Sequence, residues 1–176
     1  MTTAPTPTEP SQRARRLRGL ARDALIAVLV VLALRAFHLR DAVSGHAPAL
    51  DAQDVTGTPV RVPSADGRPT LVYFWATWCG TCSAMRGNVA ALADGQRVVS
   101  VASRSGGRAE VAAFARAHGI GYPVVADERD RLMRAYGVRA FPTSFVVDGA
   151  GKIRHVEVGY TTQLGLRARL WLARWL

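Results

Sequence analysis

The sequence predicts an α/β fold: a sandwich with a mixed central sheet flanked by helices, preceded by one amino-terminal transmembrane helix. Three observations predict it. Thr70 to Trp75 is a continuous apolar and aromatic run, as a strand buried on both faces requires. Strand-like and helix-like stretches alternate after it. Finally, Ser144–Val147 and Lys152–Val158 flank Asp148-Gly149-Ala150-Gly151, the chemistry of a hairpin that closes the sheet with antiparallel strands.

The chain opens with a basic tail, residues 1–18, rich in Thr and Pro at first and then in Arg (Arg13, Arg15, Arg16, Arg18). The apolar run Ala24–Leu34 covers only about 16 Å of helix at ~1.5 Å per residue, short of the roughly 30 Å hydrocarbon core. Alone it suits a signal-peptide core. Extended over residues 19–39 it becomes a full span, with Arg22 and Arg35 snorkelling to opposite interfaces and Asp23 near one end. The small-residue cleavage candidates, Ala42-Val43-Ser44 and Ala47-Pro48-Ala49, lie far downstream, so an uncleaved anchor is favoured over a cleaved signal. A buried helix of a soluble protein is the third reading, and the Arg-rich lead-in argues against it. Positive charge before the span keeps the amino terminus in the cytoplasm and places the rest outside.

Residues 40–55, with Gly45 and Pro48 and little periodicity, read as a linker, and the folded domain occupies 56–176. Within it a helix is expected from Cys79 to about Ala93, with Met85, Val89 and Leu92 at helical spacing. A strand follows at Arg97–Ala102, then a helix at Arg108–His118 stopped by Gly119 and Gly121. Pro123–Val125 is a short strand and Glu128–Tyr136 a short helix ended by Gly137. A last helix spans about Thr162 to Trp175, and its Leu164, Ala168, Trp171, Leu172 and Trp175 face is expected to pack on the sheet rather than touch a membrane.

The net charge of +10 does not indicate nucleic-acid binding. Lys152 is the only lysine, residues 1–46 hold seven Arg against three acids, and the later Arg residues are dispersed with no aromatic interleaving. Two cysteines, Cys79 and Cys82, are too few for a disulfide framework or a four-thiolate zinc site. Cys79 follows a buried strand and opens a helix, where free N–H groups and the helix dipole stabilise a thiolate. Cys82 lies one turn on, so the sulfurs can meet without unwinding the helix. An isolated pair of this spacing also suits half a metal site, and Cu(I) held by two thiolates stays an alternative. The histidines His38, His46, His118 and His155 show no ligand spacing.

The stretch Phe74-Trp75-Ala76-Thr77-Trp78-Cys79-Gly80-Thr81-Cys82 resembles the active-site segment of the thioredoxin superfamily. Sixty residues on, Gly137-Val138-Arg139-Ala140-Phe141-Pro142-Thr143 resembles its cis-proline loop. The resemblance covers roughly Pro59 to Val158. With the anchor and the ending Val158-Gly159-Tyr160-Thr161-Thr162 included, the chain is similar to membrane-anchored bacterial thioredoxin-like proteins of the TlpA and ScsD type.

That resemblance implies a thiol–disulfide oxidoreductase with a redox-active Cys79–Cys82 pair and neither cofactor nor metal. Cys79 would be the solvent-facing nucleophile and Cys82 the resolving cysteine. Trp78, Gly80, Thr81, Phe141 and Pro142 would form the surface that binds substrate, with Pro142 cis rather than an ordinary trans turn proline. Trp75 would pack nearby, although a plain core role suits it almost as well. Implied partners are protein disulfides or dithiols and an inner-membrane electron donor or acceptor, with the catalytic domain in the periplasm. The expected direction is reduction of periplasmic or cytochrome-related proteins; the alternative is oxidation or isomerisation. In two respects the chain departs from thioredoxin itself: its buried aspartate is replaced by Tyr73, a poor base at neutral pH, and Gly80-Thr81 lacks the proline of its motif.

Overall fold

The computed structural model describes residues 20–30, 32, 33 and 42–175. Residues 20–30, 32 and 33 are helical and exposed, and among the described residues no helix is long and apolar enough to cross a membrane. The basic tail and much of the expected span (residues 19, 31 and 34–39) lie outside the described residues.

From Ala42 onward the chain builds two sheets. A small antiparallel pair, β1 (Leu50–Gln53) and β2 (Pro59–Val62), precedes a five-stranded sheet of β3 (Thr70–Trp75), β4 (Arg97–Ser103), β5 (Val124–Asp127), β6 (Thr143–Val147) and β7 (Ile153–Val158). The order in space is β5-β4-β3-β6-β7. β3, β4 and β5 run parallel, whereas β6 is antiparallel to both β3 and β7, which gives the mixed sheet its character. Four helices complete the fold: α1 (Gly80–Ala93), α2 (Arg108–Ala117), α3 (Arg131–Ala135) and α4 (Gln163–Leu172).

Every residue of β3 is buried because the strand alternates between two cores. Leu71, Tyr73 and Trp75 meet α1 (Met85, Val89, Leu92), α2 (Val111) and α4 (Leu166, Leu170) on one face. Val72 and Phe74 meet α3 (Leu132, Met133), Tyr136 and the β1–β2 pair (Leu50, Val60, Val62) on the other. A central strand with no solvent face reads as a continuous apolar run for this reason. The rings of Phe74, Tyr136 and Phe145 pack mutually at centroid distances of 5.1–5.8 Å.

The β1–β2 pair is the main element missing from the sequence reading, and β1 falls within the stretch read as a linker. Asp54 makes its turn: one carboxylate oxygen accepts the Thr56 and Thr58 N–H groups at 2.8 and 2.9 Å and the Thr56 hydroxyl at 2.6 Å. Two four-residue strands around Thr and Gly leave almost no periodic signal. Elsewhere the boundaries move by a residue or a few. β5 extends to Asp127, and α3 begins only at Arg131 because Asp130 sits at φ +53°, outside helical space.

The carboxy-terminal helix is turned differently from expectation. Its buried residues are Leu166 and Leu170, with Ala173 beyond its end, whereas Leu164, Ala168, Trp171, Leu172 and Trp175 are exposed. The helix carries two apolar stripes, and polar contacts select between them. Gln163 and Arg167 both donate to the Ala91 carbonyl, and Arg169 pairs with Glu157 at 2.6 Å. Thr162 caps the helix by accepting from Gly165 N–H at 3.2 Å.

Candidate active site

Cys79 is the N-cap of α1, with extended backbone (φ −82°, ψ 108°) following directly on β3 and the Ala76-Thr77-Trp78 turn. It is disulfide-bonded to Cys82, with Cα atoms 5.2 Å apart, and its Sγ accepts the Cys82 N–H at 3.1 Å. The first turn of α1 carries no acidic side chain, so nothing opposes the dipole's preference for negative charge at Cys79. Both cysteines are buried, Cys79 at 8 % exposure and Cys82 at 4 %.

Trp78, Gly80 and Thr81 adjoin the pair along the chain, and the ring of Phe141 meets that of Trp78. Phe141–Pro142 is a cis peptide, with Pro142 buried and Phe141 half-buried. The Pro142 carbonyl accepts the Gly159 N–H at 2.8 Å, and the Thr143 hydroxyl donates to the Ala140 carbonyl at 2.7 Å, fixing the loop at the head of β6. Trp78, 65 % exposed, stands edge-on to Phe141 at 6.0 Å. Gly80 and Thr81 are exposed, and a side chain at Gly80 would meet nothing within 4 Å. Trp78, Gly80 and Thr81 leave an open face next to Cys79 in the chain. Trp75, in contrast, is core: 4 % exposed and packed on Phe114 at 5.5 Å.

Two supports were not visible in the sequence. The indole N–H of Trp78 donates to the Arg104 carbonyl at 2.8 Å. The Thr77 N–H donates to the Ser105 hydroxyl at 3.0 Å, and that hydroxyl donates in turn to the Ser103 carbonyl at 2.9 Å. The Ser103 hydroxyl donates to the buried Asp127 carboxylate at 3.1 Å, which also accepts the Leu132 and Met133 N–H groups. The loop after β4 thereby holds the turn that presents Cys79. A Ser-Arg-Ser-Gly-Gly stretch signals a loop but not which loop it will grip.

Behind the disulfide lies a small cavity of about 10 Å³, whose lining includes Tyr73, Trp75, Cys79, Cys82, Arg86 and Tyr122. Tyr73 occupies the place of the family's aspartate, and burial, reinforced by Tyr122, pushes its hydroxyl far above the usual phenol range. Burial likewise pushes Tyr122 up to about 12. Both stay neutral at physiological pH, and among the described residues Arg86 is the one charged residue lining the cavity. Arg86 lies over the Phe114 ring at 5.5 Å and donates to Ser83 at 3.0 Å.

Residues 43–156 match the AhpC/TSA family. The chain is 32 % identical over 163 residues to a "Thioredoxin-like protein" of Haemophilus influenzae, covering 90 % of this chain and 97 % of that one. It is 29 % identical over 133 residues to the "Thiol-disulfide oxidoreductase ResA" of Geobacillus thermodenitrificans, covering 73 % and 76 % respectively. Among solved structures it is similar to a thioredoxin-family thiol:disulfide interchange protein from Chlorobium tepidum, with a TM-score of 0.65 and 28 % identity over 76 % of this chain and 98 % of that one.

Proposed function

We propose that this chain, which belongs to the AhpC/TSA family, is an extracytoplasmic reductase that uses the Cys79–Cys82 dithiol on the disulfides of periplasmic or cytochrome-related proteins. That it is a thioredoxin-like thiol–disulfide oxidoreductase rests on its relatives and on the fold with its cysteine pair. The observation that carries the mechanism is the disulfide at the N-cap of α1, next to exposed Trp78, Gly80 and Thr81.

In the reduced protein the Cys79 thiolate, stabilised by the first N–H groups of α1, attacks one sulfur of a substrate disulfide. A Cys79–substrate bond forms as the substrate's own disulfide breaks, and one substrate thiol leaves. Cys82 then attacks Cys79, forming the intramolecular disulfide and releasing the second substrate thiol. The main chain of Phe141, preceding Pro142, pairs with an extended substrate segment in this reading, and the support for it is the cis bond and the Trp78 ring 6.0 Å from that of Phe141. An inner-membrane dithiol donor restores the reduced pair. The span over 19–39 anchors the chain with its amino terminus in the cytoplasm and its catalytic domain in the periplasm.

One observation favours the opposite direction as a second reading. Among the described residues the cavity lining carries Arg86 but no carboxylate, and a cation near the sulfurs stabilises the thiolate and makes the pair more oxidising. The equilibrium potential against glutathione buffers decides. A value near or below about −220 mV supports the reductase; a value near about −120 mV makes the protein a disulfide donor. The exchange scheme itself is tested by Cys82→Ser, which should accumulate a mixed disulfide with substrate. Normal turnover by that variant would rule the scheme out.

A further inference from the structure

The cavity behind the disulfide poses a chemical problem. A resolving cysteine must become a thiolate to attack, and among the described residues the cavity lining offers no carboxylate to draw off its proton. It does offer two buried donors, the Tyr73 hydroxyl and the Trp75 indole N–H, neither of which has a hydrogen-bond partner among the described residues. Tyr73 is 1 % exposed and Trp75 4 %. A buried polar group without a partner forfeits its hydration with no compensating hydrogen bond, so two together at one small cavity call for a reason.

We propose that the Tyr73 hydroxyl is a positioning group for the resolving step, donating a hydrogen bond to the Cys82 sulfur, directly or through one water in the cavity, once the disulfide is opened. The inference rests on the exchange reading above and deepens it. In the oxidised protein the sulfur lone pairs face a disulfide partner and make a poor acceptor; in the dithiol or mixed-disulfide state Cys82 carries the charge that the hydroxyl can meet. A cavity of about 10 Å³ is close to the smallest that holds one water.

Tyr73 keeps its proton throughout, and burial ensures this by holding its hydroxyl far above the usual phenol range. The step balances without it: Cys82 loses its proton to solvent, its thiolate attacks Cys79, the Cys79–substrate bond breaks, and the departing substrate thiolate is protonated from solvent. The hydroxyl favours the thiolate form of Cys82, which a base at this position would achieve by taking the proton. The groups that face the pair are Tyr73 and Trp75 from β3, Ser83 and Arg86 from α1, Phe114 from α2 and Tyr122 from the segment before β5. His118, exposed, stacks on Phe114 at 4.0 Å. Arg86 acts in the same direction as the hydroxyl, as a cation.

The test isolates Cys82 in the full-length chain carrying Cys79→Ser and follows its thiol titration by the carbon-13 shift of the Cys82 Cβ. Tyr73→Phe in this background should raise the Cys82 pKa by about one unit or more, the expected loss for a hydrogen bond to a charged acceptor. An unchanged pKa overturns the proposal. Should Tyr73→Phe fail to fold, the unmutated Tyr73 supplies the second readout: its Cζ resonance should titrate with the same midpoint as Cys82, and a resonance that stays constant through that midpoint is equally fatal. Neither measurement uses a substrate, so failure here leaves the exchange reading to be judged by the trapping experiment alone.

Discussion

The indole of Trp78 is tied to the main chain of Arg104, its N–H donating to the Arg104 carbonyl at 2.8 Å across 26 residues of sequence. Arg104 is itself held at φ +51°, a left-handed conformation uncommon for a non-glycine residue. The grip comes from Asp130, also left-handed at φ +53°, whose carboxylate accepts the Arg104 N–H at 3.2 Å and lies 3.7 Å from its guanidinium. Two conformationally costly residues therefore brace one another, and the exposed aromatic wall beside Cys79 depends on them.

Asp130→Ala removes the acceptor and leaves a side chain poorly suited to the left-handed region. It should cost about 2 kcal/mol of stability, from one hydrogen bond and the backbone penalty together. Urea melts followed by Trp fluorescence check this, and disulfide exchange should slow in parallel as Trp78 loses its support. Asp130→Asn, which tolerates the backbone and keeps an acceptor oxygen, should retain most of both.

Gly87 lies in the middle of α1, exposed, with nothing within 4 Å of where a Cβ would sit. Gly87→Ala should stabilise the protein by about 0.5–1 kcal/mol, because alanine loses less backbone freedom in a helix. A melting temperature equal to or below that of the unsubstituted protein would contradict the assignment of open space there.

Asp148 is buried at the hairpin between β6 and β7. Burial by itself would raise its carboxyl, but hydrogen bonds from the Lys152 N–H, Arg154 and the Ala150 N–H hold it below the usual range. With the folded pKa below the unfolded value of about 3.9, its contribution is complete above roughly pH 5 and fades as pH falls through the folded pKa. Asp148→Ala should therefore destabilise at pH 7 by about 1–3 kcal/mol, and the gap between variant and parent in denaturant melts should narrow as pH drops below about 4.

The two faces of α4 make opposite predictions. Leu170, fully buried, should cost about 2–5 kcal/mol on replacement by alanine. Trp171, 58 % exposed, should change stability by no more than about 0.5 kcal/mol on replacement by serine. Chemical denaturation of the pair of variants distinguishes this rotation of the helix from one that buries Trp171.

Sequence reading succeeded where local pattern and tertiary demand coincide. Thr70–Trp75 was legible because a strand packed on both faces is apolar throughout, and α1 because Met85, Val89 and Leu92 repeat at helical spacing along one buried face. The Cys79–Cys82 pairing and the cis bond before Pro142 were legible because the two motifs that carry them fall in the expected order. The β1–β2 pair was not, since its turn is made by a side chain, Asp54, rather than by a periodic pattern. The orientation of α4 was not either, because two apolar stripes share the helix and the choice rests on contacts with Ala91 and Glu157, more than 70 residues upstream in the first case.

The sequence by itself determined the reactive pair, its place at a strand-to-helix junction and the α/β class, because these follow from residue type and spacing along a short stretch of chain. Only the tertiary structure decided what surrounds the pair. It brought Arg104 to Trp78, Ser105 to Thr77, and Tyr73, Arg86 and Tyr122 to one cavity behind the sulfurs. Spacing fixes which groups a single helix turn presents, whereas the groups that tune a thiol converge from separate strands and loops, and their meeting is set by how the sheet orders its strands.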